Sequence, residues 1–270
     1  MKISVVVTTY NWKEALELVL RGFARQSRMP DELIVSDDGS RPDTGELLRA
    51  WAGRMPMPLR HLWQEDIGFR VSRARNRAIA ASRGDYVLLL DGDMVPHRDF
   101  VADHARAAHR GCFIQGSRLV TGPMATRRML HEGLLDLPFW ARDIRRRRHA
   151  IRSRLLSWLV YQHVRTDQDA IRSCNQGYWR DDLVRTNGFD ERMVGWGRED
   201  NDIAARLYHL GVKRRQLKFA GLAIHLHHNQ RKPPGENPND AILRDTIAGG
   251  RTRCEAGIDQ HYAEFPPGQG

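Results

Sequence analysis

The chain contains an acidic motif, Asp91-Gly92-Asp93, in which a single glycine separates two carboxylates. The motif directly follows the apolar run 86–90, which predicts a strand buried on both faces. Carboxylate oxygens are hard ligands that suit Mn²⁺ or Mg²⁺. The two acids therefore indicate a candidate cation site, although such pairs also occur by chance at the ends of strands.

Three histidines, His225, His227 and His228, lie at the end of a predicted strand far along the chain. Alternation puts His225 and His227 on one face, but His225 and His228 converge if the strand ends between them. Imidazole with carboxylate suits Mn²⁺ or Mg²⁺ with open positions for phosphate oxygens. The sequence therefore predicts a divalent-cation site that joins the acidic motif to these histidines, and leaves open which histidines bind.

The segment GWGRED, residues 195–200, combines an aromatic ring with two acids. Its flanking glycines allow Trp196 to lie exposed, where the ring can stack on the apolar face of a sugar. Glu199 and Asp200 begin a predicted helix, where acids are ordinary N-terminal residues. A carboxylate in this position can also act as a general base towards a hydroxyl within hydrogen-bond reach.

The first half of the chain alternates apolar strand patterns with amphipathic helix patterns. Strands are predicted within residues 3–9, 31–40, 59–64 and 86–90, and helices within 12–27, 44–55 and 72–84, the last closed by Gly84. This order predicts an α/β fold: a Rossmann-like mixed, mainly parallel sheet with helices on both faces. Ligands of such sheets bind at the carboxyl ends of the strands, where Thr8-Thr9-Tyr10, Asp37-Asp38 and the acidic motif all fall.

Three arginines, Arg73, Arg75 and Arg77, alternate along the third predicted helix and cannot all share one face. Arg75 is the best placed of the three to reach a nucleotide diphosphate at this edge of the sheet. The other two are expected on a solvated helix face.

The second half of the chain is less regular. A strand is predicted within 113–120, a strand and short helix within 174–191, a helix after the 195–197 loop, and a last strand within 217–229. The segments 231–240 and 265–270 are loop-like, and two short helices broken at Gly249-Gly250 fit residues 240–261.

Residues 139–162 form a basic, amphipathic segment that is expected to be helical. From Arg142 to Arg154 there are seven arginines and one acid, Asp143. On a single helix the apolar stripe would contain Ile144, Ile151, Leu155, Trp158 and Leu159. Three interpretations stay open: the stripe packs on the protein's own core, residues 142–159 lie on an anionic membrane surface, or the arginines contact an anionic acceptor.

Composition limits the class of protein. The chain has 270 residues, of which 41% are hydrophobic and 28% charged, and this suits one large domain or two small ones. Its net charge is +10, which bears on its partners rather than on its fold. No apolar run predicts a membrane span, and no signal peptide is recognised, which favours a cytoplasmic protein. Cys112, Cys174 and Cys254 are too few and too distant for a disulfide framework, and are expected as reduced, buried thiols.

Two other classes of protein fit the sequence less well. The basic segment has neither zinc-finger spacing nor an RNA-recognition motif, and nucleic-acid binding leaves the acids at three strand ends without a purpose. A nucleotidyltransferase that forms sugar nucleotides requires a glycine-rich N-terminal loop with a nearby basic residue, where this chain has VVVTTYNW. No G-x-G-x-x-G or Walker loop is present.

The chain resembles family 2 glycosyltransferases with the A-type nucleotide-sugar fold, in particular the branch shared with bacterial chondroitin polymerase domains and β-1,4-galactosyltransferases. The matching stretches are VVVTTYNW, IVSDDGS, ARNRAI, YVLLLDGDMVP, NGFDE, GWGREDNDIAARL and HLHHN. The resemblance implies a glycosyltransferase domain of residues 1–230 followed by a tail of residues 231–270. Within the domain it implies a nucleotide-binding half, a basic helical insertion and an acceptor-binding, catalytic half, at 1–125, 126–170 and 171–230.

The resemblance also implies a role for each matching residue. Asp93 and His228 would ligate the metal, with His225 as a second imidazole. Asp200 would be the catalytic base, while Glu199 and Trp196 would position the acceptor. The nucleotide sugar would be bound by Thr8, Thr9, Tyr10, Asp37, Asp38, Arg75, Asp91 and Gly92, with Asp38 rather than Asp37 on the base and Asp91 on either the ribose or the metal.

The implied reaction is an inverting transfer of a sugar from a nucleotide donor, expected to be a UDP-sugar, to a hydroxyl of a saccharide or glycolipid acceptor. Mn²⁺ or Mg²⁺ would be the cofactor. The implied setting is bacterial cell-surface polysaccharide or lipopolysaccharide synthesis, in the cytoplasm or at the inner face of the plasma membrane. No nucleic-acid partner is expected.

Overall fold

The computed structural model describes residues 1–169, 171–229 and 237–266. Its strands are β1 (Ile3–Thr9), β2 (Glu32–Asp37), β3 (Leu59–Trp63), β4 (Tyr86–Asp91), β5 (Met94–Pro96), β6 (Cys112–Gln115), β7 (Arg118–Thr121), β8 (Ile144–Arg145), β9 (Val164–Arg165), β10 (Asn175–Trp179), β11 (Lys213–Gln216) and β12 (Ala223–His225). Its α-helices are α1 (Lys13–Ala24), α2 (Pro42–Ala52), α3 (Val71–Ala81), α4 (Phe100–Ala107), α5 (Pro123–Glu132), α6 (Arg154–Tyr161), α7 (Arg180–Thr186), α8 (Glu199–His209) and α9 (Asn239–Ala248). Short 3₁₀ helices lie at Arg147–Ala150 and Ile258–His261. Most of the loop predicted at 231–240, and the last residues of the one predicted at 265–270, lie outside the described residues.

The described strands form two sheets. The larger has the order β3-β2-β1-β4-β10-β6-β11-β9, and the smaller has the order β5-β12-β7-β8. Strands β3, β2, β1 and β4 are parallel, whereas β10 runs antiparallel between β4 and β6. The predicted α/β architecture with a mixed, mainly parallel sheet is confirmed.

Helices cover both faces of the central strands. Because successive side chains of a strand point to opposite faces, neighbouring residues pack against different helices. Val5 and Val7 of β1 belong to the same apolar cluster as Leu16 of α1. Val6, between them, belongs to a second cluster that contains Ile79 of α3. This double burial explains why the central strands are continuous apolar runs rather than alternating ones.

The register of the sheet brings the polar strand ends to one edge. Thr8 of β1 lies opposite Asp91 of β4, and Thr9 lies opposite Asp37 of β2. Because β10 is antiparallel to β4, it begins at this same edge, with Asn175 opposite Leu90. The chain just before β10 is therefore delivered to the carboxyl ends of the parallel strands.

The strand predicted within 113–120 is two strands that belong to different sheets. The break falls at Gly116, whose N–H donates to the Asn175 carbonyl oxygen at 2.8 Å. A Cβ at Gly116 would lie 2.2 Å from Asn175 Oδ1, so only glycine permits this close approach. The chain leaves the larger sheet there and continues as β7 of the smaller one.

The basic segment is not the single helix that its periodicity predicts. Ile144 lies in β8, which pairs with β7 and is buried in the core of the smaller sheet. Arg146 then adopts a left-handed conformation with φ of 58°, which interrupts any helix. Only α6, at 154–161, is α-helical, so the predicted stripe from Ile144 to Leu159 is wrong. Pairing with β7 outweighs the local helical pattern.

Strand β11 and the end of helix α3 also differ from the prediction. Strand β11 was not expected, because its sequence KRRQ is basic; the buried Arg214 donates to Asp167 Oδ1 at 2.9 Å and to the Asp169 carbonyl at 2.7 Å. Helix α3 ends at Ala81 rather than at Gly84. Glycine is needed at position 84 because its backbone packs directly against the backbone of Ser4.

The described cysteines are buried and unbridged, as predicted. Within the described ranges no helix is long and apolar enough to span a membrane.

A buried ion pair fixes α8, the helix that begins with Glu199. Arg206 is fully buried and donates to Asp202 Oδ2 at 2.6 and 3.0 Å. Its guanidinium also donates to the carbonyl oxygens of Thr186 and Gly188. Helix α8 is therefore tied to the end of α7 by one cation.

We expect Arg206→Met to lower the free energy of unfolding by about 3–5 kcal/mol, because it leaves the Asp202 carboxylate buried without its partner. Urea denaturation measures this loss. The control Arg49→Met, at an exposed position of α2, should change it by no more than about 0.5 kcal/mol. A loss below about 1 kcal/mol for Arg206→Met would show that the pair does not hold α8.

Candidate functional site

The acidic motif occupies the tight turn between β4 and β5. Gly92 donates its N–H to the Thr8 carbonyl oxygen at 2.7 Å, and a Cβ there would lie 2.9 Å from that oxygen. The missing side chain thus allows the turn to rest against the end of β1. Asp91 and Asp93 are held on either side of this contact, at the edge of the sheet.

Asp93, His225 and His228 converge on one point. Asp93 Oδ2 lies 3.3 Å from His225 Nε2 and 3.1 Å from His228 Nε2, and the three candidate ligand atoms all lie within 4.8 Å of one another. Strand β12 ends at His225, and Leu226 donates its N–H to the Asp93 carbonyl at 3.0 Å. The strand therefore ends between His225 and His228, which is the condition under which they were expected to converge. His227 lies outside this cluster.

The cluster fits a divalent cation. Asp93 Oδ1 and His225 Nδ1 are buried without a hydrogen-bond partner. Burial alone raises the pKa of Asp93, but hydrogen bonds from His225 and His228 outweigh it and bring that pKa well below its ordinary value. The same hydrogen bond to Asp93 raises the pKa of His228. A carboxylate and two imidazoles with unused ligand positions match the preferences of Mn²⁺ and related cations.

Arg75 lies beneath the site and joins its two acidic segments. Its Nη2 lies 3.2 Å from Asp91 Oδ1, and its Nη1 lies 3.4 Å from Glu199 Oε1. Burial alone lowers the pKa of Arg75, but the charges of Asp91, Glu199 and Asp200 outweigh it, and the guanidinium stays charged. The sequence placed Arg75 towards a diphosphate, whereas in the structure it contacts carboxylates of the site itself.

The neighbouring arginines of α3 were expected on a solvated helix face. In the structure both contact carboxylates instead. Arg73 lies 3.6 Å from a Glu191 oxygen, and Arg77 Nη2 lies 2.5 Å from Glu264 Oε1. These pairs tie α3 to the later part of the chain. A helical pattern in α3 alone contains no sign of partners so distant in sequence.

The GWGRED segment is a loop followed by the first turn of α8. Gly195, Gly197 and Arg198 all have positive φ, of 83°, 97° and 79°. This backbone leaves Trp196 47% exposed, as the flanking glycines predicted. The loop therefore presents an aromatic ring directly before the two acids of α8.

Asp200 is held by backbone donors and has a strongly shifted pKa. Its Oδ2 accepts the Ser173 N–H at 3.2 Å and its Oδ1 accepts the Asn201 N–H at 2.9 Å. Burial of the carboxyl, and then the charge of Glu199, raise the pKa of Asp200 to about 7. Such a carboxyl exchanges a proton near neutral pH, which is what general-base chemistry requires.

The two acids at the end of β2, Asp37 and Asp38, are buried and hydrogen-bonded within the protein. Asp38 Oδ1 accepts from Gln64 Nε2 at 2.6 Å and its Oδ2 accepts the Arg70 N–H at 2.9 Å. Burial raises the pKa of Asp38, and these hydrogen bonds partly offset that rise. Asp37 accepts the Ser40 N–H at 2.8 Å and lies 2.9 Å from His61 Nε2.

Thr9 and Tyr10 border the same end of the sheet. The Thr9 carbonyl accepts the Asp38 N–H at 3.0 Å, which holds the two strand ends together. Tyr10 is exposed and donates its hydroxyl to Asp66 Oδ2 at 2.9 Å. An open face with an aromatic ring therefore lies beside the buried Asp38.

Sequence reasoning missed the segment directly before β10. Besides the bond from Ser173 to Asp200, the Cys174 carbonyl accepts the Asp91 N–H at 3.4 Å, and Arg118 Nη1 lies 3.2 Å from Cys174 Sγ. This segment connects the acidic motif to Asp200 through the backbone. Serine and cysteine before a strand carry no sequence signal for such a position.

Two family models match the chain. The model described as glycosyl transferase family 2 matches residues 4–163, which is more than half of the chain. The model described as N-terminal domain of galactosyltransferase matches residues 154–229. The first contains the acidic motif, and the second contains the GWGRED segment and the histidines.

Relatives of known name are similar over most of this chain. Chondroitin synthase of Escherichia coli is 27% identical over 266 residues, which cover 91% of this chain and 37% of that protein. Validoxylamine A glucosyltransferase of Streptomyces hygroscopicus subsp. limoneus is 28% identical over 234 residues, which cover 78% of this chain and 48% of that protein. The chain therefore spans less than half the length of these relatives.

Solved structures share the fold at low sequence identity. Staphylococcus aureus TarS 1–349 has a TM-score of 0.58 and 18% identity, over 98% of this chain and 70% of that one. The mannosyltransferase PcManGT from Pyrobaculum calidifontis, in complex with GDP-Man and Mn²⁺, has a TM-score of 0.55 and 20% identity, over 97% and 63%. The expected A-type glycosyltransferase fold is confirmed. Because the first family model matches more than half of its length, the chain belongs to glycosyl transferase family 2.

Proposed function

We propose that this protein is an inverting, metal-dependent glycosyltransferase that moves a sugar from a UDP-linked donor to a hydroxyl of a saccharide or glycolipid acceptor. The observation that carries the proposal is the meeting of two groups of side chains at one edge of the sheet. Asp93, His225 and His228 converge in an arrangement that could hold a cation, and Asp91 is joined through Arg75 to Glu199, the neighbour of Asp200.

The donor would lie across the carboxyl ends of β1, β2 and β4. TarS has been solved in complex with UDP and with UDP-GlcNAc, which favours a nucleoside diphosphate sugar here. The open face beside Thr8, Thr9 and Tyr10 would receive the nucleoside. Asp38 would contact its nucleobase, and Asp37 would lie next to Asp38 at the end of β2. Asp91 and Gly92 would border the ribose and diphosphate.

Asp93, His225 and His228 would hold a divalent cation, Mn²⁺ or Mg²⁺. When bound, such a cation neutralises charge on a diphosphate leaving group. Arg75 would act as a positioning residue, because its guanidinium contacts the carboxylates of both Asp91 and Glu199 and holds the two in a fixed relation.

Asp200 would be the general base of the transfer. Its raised pKa lets it take the proton of an acceptor hydroxyl at neutral pH, while the backbone N–H groups of Ser173 and Asn201 hold it in one orientation. Glu199 and the exposed ring of Trp196 would border the acceptor sugar. A single displacement with this base inverts the configuration at the sugar carbon and requires no covalent intermediate.

The biological setting is part of the proposal. A chondroitin synthase among the relatives favours a polysaccharide acceptor, and we propose cell-surface polysaccharide or lipopolysaccharide synthesis on the cytoplasmic side of a bacterial membrane. The rival nucleotidyltransferase activity has no support in the family comparison. The edge of the sheet presents carboxylates rather than cations, and this charge does not suit a nucleic-acid partner.

We expect Asp200→Asn to lower kcat by roughly 10²–10⁴-fold, the usual contribution of one general base. Binding of UDP with Mn²⁺ should stay within about 3-fold of the wild type, because Asp200 is not among the cation ligands. Transfer assays with a panel of UDP-sugars and calorimetric UDP titration measure the two quantities. Turnover like that of the wild type would remove Asp200 from the chemistry.

We expect kcat/KM to rise with pH through about 7, because Asp200 below its pKa is protonated and cannot accept a proton. Glu199→Gln removes a neighbouring negative charge that raises this pKa, so the acid limb should move to lower pH. The limb of the control Glu14→Gln, at an exposed position of α1, should stay in place. An unmoved limb in Glu199→Gln would contradict the assignment.

We expect His225→Ala and Asp93→Asn each to weaken Mn²⁺ binding in the presence of UDP by at least about 100-fold, since even outer-shell partners contribute 10–100-fold. His227→Ala is the matched control, because His227 is a neighbour in sequence but lies outside the cluster. Electron paramagnetic resonance of free Mn²⁺ measures the affinity. Equal affinities of the three variants would exclude this site.

A further inference from the structure

Helix α6 presents its apolar side to solvent and its small polar side to the protein. Ser157 is its one buried residue, and Tyr161, one turn further on, is half-buried. Leu155, Trp158 and Leu159 share the opposite side, because residues three and four apart are neighbours on a helix. This orientation is the reverse of what an ordinary surface helix shows.

The exposure of these side chains is large, and other apolar side chains of the same segment are exposed as well. Leu155, Trp158 and Leu159 are 67%, 59% and 50% exposed, and Trp140 in the preceding loop is 78% exposed. Phe139 and Ile151 are also exposed. We name this set, with the exposed arginines between its members, the 139–159 surface. Leu155, Trp158 and Leu159 are neighbours on one side of α6, and adjoining exposed apolar side chains of this kind mark an interaction site.

Helix α6 is held in this orientation by contacts at both ends. Ser153 donates its N–H to the Phe219 carbonyl at 3.0 Å, and its hydroxyl caps the helix by accepting the Leu156 N–H. At the other end the Tyr161 hydroxyl donates to the Ala107 carbonyl, and Arg215 stacks 4.5 Å above the Tyr161 ring. The outward apolar side is therefore a built feature of the fold, and the protein's own core does not cover it.

The polar part of the 139–159 surface is strongly basic. Its exposed arginines are Arg142, Arg145, Arg146, Arg147, Arg148 and Arg154. Its one acid, Asp143, faces inward and accepts the N–H groups of Met124 and Ala125 at the start of α5. Among the described residues, none of the six arginines forms an ion pair with a carboxylate. The surface thus combines tryptophan and leucine with uncompensated positive charge.

We propose that the 139–159 surface docks this protein onto an anionic lipid membrane. Trp140, Trp158, Leu155 and Leu159 would enter the boundary between headgroups and acyl chains, and the arginines would contact the anionic headgroups. Eight residues of helix are about 12 Å long, so α6 lies on the membrane and does not cross it. The docking is independent of the chemistry proposed for the sheet edge.

A second copy of the chain fits the same surface less well. A two-fold interface brings the same patch of each copy together, so six arginines would face six arginines without a carboxylate between them. An anionic lipid surface satisfies both the apolar and the charged part. Charge complementarity therefore selects the membrane.

The test is flotation of the full chain with two kinds of vesicle, phosphatidylcholine with about 30% phosphatidylglycerol and phosphatidylcholine alone. Each is measured at about 0.1 M and about 0.5 M salt. We expect binding to the anionic vesicles, weakened by the higher salt. Arg145→Ser/Arg147→Ser/Arg148→Ser should weaken it by roughly 100-fold, from about 5-fold for each arginine. Leu155→Ser/Leu159→Ser should weaken binding to a similar extent without lowering the Tm.

Two control variants carry the same chemical changes elsewhere. Arg49→Ser/Arg54→Ser/Arg83→Ser removes the same charge from exposed positions, and Met29→Ser/Ile247→Ser removes two exposed apolar side chains. Both should bind vesicles like the wild type. Equal losses in variants and controls would overturn the proposal, as would absence of binding to anionic vesicles. A wild-type dimer in light scattering that Leu155→Ser/Leu159→Ser converts to a monomer, without vesicle binding, would assign the surface to a second copy instead.

Discussion

The buried guanidinium of Arg75 is the contact on which the candidate site depends. Asp91 closes β4 and Glu199 opens α8, and these segments lie more than a hundred residues apart in sequence. Two carboxylates brought this close repel each other unless a cation lies between them. Arg75 supplies that cation from a third element, α3, so the acidic motif and the candidate base keep a fixed relation.

The remaining parts of the site are built around this contact by the backbone. Strand β10 enters antiparallel to β4, so the Ser173–Cys174 segment contacts Asp200 on one side and Asp91 on the other. On the far side of the motif, β12 ends at His225 and its next residue bonds to the Asp93 carbonyl. The side chains proposed for the metal and for the base thus belong to one continuous backbone network.

The molecule has two surfaces of opposite character. The edge of the sheet gathers carboxylates and histidines, and burial together with neighbouring groups shifts the pKa values of Asp200 and Asp93. The 139–159 surface carries arginine and exposed tryptophan, held outward by contacts at both ends of α6. We propose that the first surface transfers a sugar and that the second brings the enzyme to the lipid surface where a glycolipid acceptor would reside.

The sequence alone determined the parallel half of the fold and the residue types of the site. Continuous apolar runs such as 86–90, bounded by turn residues, predict strands covered on both faces, and the shared direction of those strands brings the motifs at their ends to one edge. Tertiary structure decided the rest. Pairing with β7 broke the basic segment that local periodicity made helical, and packing turned α6 outward. The choice of His228 over His227 and the partners of Arg75 depend on contacts between distant segments, which local sequence patterns do not encode.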